Sequence, residues 1–133
     1  MTSLKITAFI LKNSLKPFKW GQHDCAHFVT EWIKKISGKE VFVYPKYSTE
    51  HAAYKYCRKH GGFKSLVAHT CHKAGFPTVE YPRVGDIIFQ PEPNFGGILG
   101  IYVGGNKVVH PRLEGGIATV ELHDDFVAWE VAR

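Results

Sequence analysis

The chain has 133 residues, 44% of them hydrophobic and 22% charged, a composition that suits one globular domain with a core large enough to need no disulfide or structural metal. No apolar run approaches the ~20 residues that span a membrane, and three cysteines without a secretory pattern point to free thiols made in a reducing compartment. The net charge is +5, but only Lys34-Lys35 and Arg58-Lys59 are adjacent basic pairs, and such scatter argues against a nucleic-acid partner.

The opening "TSLKITAFILKNSL" places Leu4, Ala8, Leu11 and Leu15 at helical spacing, which predicts an amphipathic first helix ended by Pro17. Charges and Asn13 interrupt its apolar patch and no small-residue cleavage site follows, so it does not read as a signal peptide. A second helix starts at Asp24, a good N-cap residue. Cys25, Phe28, Val29, Trp32, Ile33 and Ile36 then form one stripe, and Gly38 stands where a C-cap glycine is expected. "YSTEHAAYKYCRKHGG" gives a third helix, capped by Ser48 or Thr49 and terminated by Gly61-Gly62. "FKSLVAHTCHKAG" gives a fourth, closed by Gly75.

The period then changes. "GDIIFQ", "ILGIYVG", "KVVHP", "GGIATVEL" and "FVAWEVA" read as strands, and Gly104-Gly105-Asn106 marks a hairpin turn. Helices followed by strands predict an α+β fold, a single domain over residues 1–133 with N-terminal helices packed on a C-terminal antiparallel sheet of about five strands.

Two groups of residues carry candidate chemistry. Cys25 lies one residue past an N-cap, where unpaired N–H groups and the helix dipole favour a thiolate. Such a nucleophile needs a histidine from another element to take its proton and a third polar group to orient that histidine. The alternative is a small buried residue. The second group is Cys57, His60, His69, Cys71 and His72. These are zinc-ligand types, and Cys57 and His60 share a helix face, but the spacing is not a standard structural zinc arrangement, so neither a metal nor another cofactor is expected. Three other residues read as structural. His23 and His27 are expected at the surface, and Asp86 is expected to support the turn before its strand.

"FKWGQHDCAHFVTEW" resembles the nucleophile segment of the NlpC-type cysteine peptidases, the papain-like cell-wall hydrolases related to CHAP domains. "VGDIIF" resembles their Pro-Gly-Asp strand, and "LGIYVGGNKVVHP" resembles the hairpin that follows it. The resemblance runs from about Phe18 to His110. The wider layout, with its middle helix and Trp129 near the end, is similar to a compact NlpC-like family of tailed phages and prophages. The resemblance implies a papain-like fold, Cys25 as nucleophile and peptidoglycan stem peptide as substrate. It also implies phage tail-tip or hub proteins as partners, synthesis in the host cytoplasm and residence in the virion tail.

The pattern breaks at one position. In active members the base histidine lies two residues before the glycine of the "GIYVG" strand, which here is Ile98. Twelve residues on, His110 falls at the orienting position. Either the domain is catalytically degenerate and kept for binding or assembly, or His110 reaches Cys25 and acts as the base. A general base contributes ~10²–10⁴-fold, so its loss without replacement leaves little useful rate.

Overall fold

A computed structural model describes residues 2–41, 47–93 and 97–131. Four helices precede a six-stranded antiparallel sheet. The helices are α1 (Thr2–Asn13), α2 (Cys25–Ser37), α3 (Glu50–Lys59) and α4 (Phe63–Lys73). The strands are β1 (Thr78–Val79), β2 (Ile87–Gln90), β3 (Ile98–Gly104), β4 (Lys107–Pro111), β5 (Ile117–Glu121) and β6 (Val127–Trp129). Their order across the sheet is β1-β6-β2-β3-β4-β5. The α+β expectation holds, with six strands in place of about five. The added strand, β1, has only two residues, too few to show a period of two. Ala132, at the end of the expected last strand, lies outside the described residues.

α2 begins and ends as its sequence requires. The Asp24 carboxylate accepts the His27 backbone N–H at 2.9 Å, satisfying one of the free donors of the first turn. Gly38 takes the left-handed conformation (φ 76°), and its N–H reaches the Lys34 carbonyl. Between these caps Phe28, Val29, Trp32 and Ile33 are fully buried. They pack on Ile87, Leu99, Ile101 and Val109 of one sheet face. Trp32 also donates its indole N–H to the Gly85 carbonyl at 2.8 Å, which ties the helix to the turn before β2.

α1 is turned the other way from the sequence expectation. Ile6, Phe9 and Asn13 face inward, and the Phe9 ring lies 5.1 Å from Phe28 and 5.5 Å from Trp32. The stripe of Leu4, Ala8, Leu11 and Leu15 is on the outside. Both sets fit a helical period. Aromatic contact area decides which one is buried, and Asn13 tolerates its place because its amide donates to the Phe9 carbonyl at 2.8 Å. The helix ends at Asn13, ahead of Pro17.

The β3–β4 hairpin closes where the sequence indicates. Gly105 and Asn106 both have positive φ, 60° and 63°, as a two-residue hairpin turn requires. Ile101 pairs with Val109 and Tyr102 with Val108. Because side chains alternate along a strand, residues 98 and 110 point to the same face, opposite the one that carries Leu99 and Val109.

Replacing Trp32 with Phe keeps most of the apolar volume but leaves the buried Gly85 carbonyl without its donor. We expect a loss of about 1–3 kcal/mol, read as a lower urea midpoint with an unchanged slope.

Candidate functional site

A cleft of about 690 Å³ opens where the start of α2 meets the sheet. Cys25, Ile98 and His110 all line it, and the walls include Phe18, Trp20 and Tyr47. Phe18 and Trp20 meet edge to face with ring centres 4.9 Å apart, both half-buried. The cleft is therefore mainly apolar and aromatic, with a few polar groups placed in it, the usual character of a ligand site.

Asp24 organises the helix end of this cleft. It is 2% exposed, and its carboxylate accepts four hydrogen bonds. These come from the Gly21 N–H (3.1 Å), the His27 N–H (2.9 Å), the His27 Nδ1 (2.8 Å) and the Tyr47 hydroxyl (2.7 Å). Burial raises the Asp24 pKa. The bonds from His27 and Tyr47 outweigh burial, so the net shift is downward and the group stays ionised. Gly21 is required here. Its φ is +81°, and a Cβ would lie 1.9 Å from the Tyr47 carbonyl oxygen.

Cys25 is the first residue of α2 and is half-buried. Its thiol pKa is pushed up to about 12, first by burial and then by the negative charge of Asp24. The backbone N–H groups of Leu99 and Ala26 act on the sulfur in the opposite direction and are outweighed. The shift is toward the protonated thiol, away from the nucleophilic thiolate. The Leu99 contact brings the start of β3 to the sulfur, and Ile98, 8% exposed, lines the same cleft as an apolar side chain.

His110 is half-buried on β4. Its Nδ1 lies 2.9 Å from the Pro111 carbonyl, which only accepts, so Nδ1 carries the proton and Nε2 keeps its lone pair. Burial lowers the His110 pKa, partly countered by the Pro111 bond and the Glu92 charge. The ring is neutral at pH 7.

The Cys–His set of α3 and α4 is dispersed. Cys57 is half-buried and lines the cleft, and Cys71 is buried in the core, its thiol pushed up to about 12 by burial. His60, His69 and His72 are exposed. Among the described residues no three metal-ligating side chains gather. Asp86 accepts the Arg83 N–H at 2.8 Å and supports its turn as expected.

Two histidines differ from expectation. His23 is 6% exposed, with its ring edge-on to Phe28, because the bridge between Lys19 and His23 folds that loop under the helix. His27 is half-buried within the Asp24 cluster. Tyr47 and Gln90 also line the cleft and escape sequence reasoning. Tyr47 is fixed by Asp24, 23 residues away, and Gln90 by the Glu121 carbonyl and the His123 N–H, 31 and 33 residues away. No local pattern announces either.

Residues 3–131 match the profile of a family described as Domain of unknown function (DUF6950). The chain belongs to this family. A comparison with curated proteins found no match. Among the described residues of this DUF6950 domain, no helix is long and apolar enough to cross a membrane.

The Asp24 network makes a pH signature. Its carboxyl has a lower pKa folded than unfolded, so the stability it contributes is complete above its ordinary value near 3.8 and is lost as the pH falls toward the folded value. Asp24→Asn keeps a capping oxygen but loses the charge-assisted bonds to Gly21, His27 and Tyr47, so it is expected to cost about 1.5–3 kcal/mol at pH 7 and to give a shallower loss of stability below pH 3.8. Urea midpoints of the two proteins measured across the acid range check both.

Proposed function

We propose that this chain is an NlpC-like cell-wall hydrolase homologue of a phage or prophage tail, papain-like in fold. Its cleft holds a peptidoglycan stem peptide but lacks the base needed to cut it. The observation that carries this reading is Ile98, an apolar side chain in the same cleft as a thiol whose pKa burial and Asp24 push up.

Hydrolysis at such a site needs three linked events. The thiol proton must leave for a base, the sulfur must bond to the amide carbonyl carbon, and the same proton must return to the departing amine. An isoleucine supports neither proton step. The helix start, the adjoining strand and the aromatic walls remain, and these parts bind an extended peptide without needing a reactive sulfur. The partners this assigns are tail-tip or hub proteins and peptidoglycan peptide, with no cofactor.

One observation favours a second reading, in which His110 replaces the missing base. Its Nε2 lone pair is available, and the side chain lines the same cleft as Cys25.

Thiol labelling and wall binding separate the two. With iodoacetamide at neutral pH, we expect Cys25 to react no faster than Cys57. Ile98→His should raise the Cys25 rate by about tenfold or more, since an adjacent imidazole lowers a thiol pKa. The native protein should co-sediment with purified cell walls without clearing their turbidity. Clearing that disappears in Cys25→Ala overturns the non-cleaving reading. Fast Cys25 labelling that is lost in His110→Gln establishes the second one.

A further inference from the structure

Among the described residues no element covers the outer face of α1, yet that face is apolar. Leu4 is 70% exposed, Leu11 67% and Leu15, in the turn after the helix, 93%. Ala8 is exposed between them. At 100° per residue Leu4, Ala8 and Leu11 fall within an arc of about 60°, and Leu15 follows in the turn. The helix does not need this stripe to hold its place, because Ile6, Phe9 and Asn13 anchor it from the opposite side. Nor does any α1 residue line the cleft at Cys25.

The borders of the stripe differ. Lys5, Lys12 and Lys16 run along one edge, with Lys5 and Lys12 exposed, while Ser3, Thr7 and Ser14 run along the other. Lys16 approaches Glu31 at 4.0 Å, and the ion pairs of the described residues include neither Lys5 nor Lys12. We infer that the outer face of α1 is a docking surface for an amphipathic helix of another protein that carries carboxylates along one edge. Leucines would meet leucines along the seam, and the carboxylates would lie against the lysine row.

Charge selects this occupant over a second copy of the chain. An antiparallel pair of α1 helices sets one lysine row against the other, which repels. A parallel pair sets the lysines against Ser3, Thr7 and Ser14, which offer no charge. A bilayer is also a poor match. A helix lying on anionic lipid places basic residues on both flanks of a broad apolar face, whereas α1 has them on one flank of a narrow stripe. Its 12 residues span about 18 Å, enough for contacts at Leu4 and Leu11, with Leu15 just past the helix end.

The test uses the full chain and two synthetic helical peptides with the same leucine stripe, one with glutamates along an edge and one with lysines there. By fluorescence anisotropy the glutamate peptide should bind at least about tenfold more tightly. Leu11→Glu should abolish binding, and Lys5→Glu with Lys12→Glu should reverse the preference. The same charge change on α3, Lys55→Glu with Lys59→Glu, should leave it intact. All these side chains are exposed, so thermal melts should match the native protein. Equal binding of both peptides, or binding of neither, overturns the inference. So does a dimer in sedimentation velocity that Leu11→Glu dissociates, or phosphatidylserine-vesicle binding lost in that variant without any peptide preference.

Discussion

The buried carboxylate of Asp24 both builds the site and sets the charge next to its thiol. By capping α2 it fixes where the helix begins, and so which side chains meet the sheet. By accepting from Gly21 and Tyr47 it folds the preceding loop and one wall of the cleft onto the same point. Its charge also stands beside Cys25. A helix N-terminus offers a thiolate the equivalent of roughly half a positive charge. Here a full negative charge and burial oppose it, and the thiol pKa goes up. The helix start and the surroundings act on the thiol in opposite directions, and the surroundings prevail.

α2 was legible end to end in the sequence, because cap, stripe and terminator are all local signals. α1 was legible as a helix but not in its orientation. Two stripes of equal period compete there, and only the contact of Phe9 with Phe28 and Trp32 decides between them. The strands were read from their β-rich runs, except β1. That pair of residues becomes a strand because β6 lies beside it, with the Glu130 N–H reaching the Pro77 carbonyl at 2.9 Å. Cys25, Ile98 and His110 stand in recognisable segments, and their shared cleft follows from strand register. Tyr47 and Gln90 have no such signal, since their places depend on partners distant in the chain.

The start of β3 is crowded in a way that bears on Ile98. A Cβ on Gly97 would lie 2.2 Å from the Phe89 ring, and one on Gly100 would lie 2.6 Å from the Val109 carbonyl oxygen. These two glycines let the strand press onto its neighbours, which fixes the backbone on both sides of Ile98. An isoleucine so placed extends the apolar wall formed by Phe18 and Trp20. The cleft gains apolar surface for a ligand at this position.

The place of β6 within the sheet bears on how the chain is made. Residues 127–129 pair with both β1 and β2, so β2 emerges from the ribosome long before one of its two neighbours exists. During that interval the edge carrying Ile87, Ile88 and Phe89, all buried in the finished fold, offers open backbone donors and acceptors to any other nascent strand. The helices can form early, but the sheet closes only when β6 is inserted. A chaperone that shields this edge during synthesis would act on yield without touching the stability of the folded molecule.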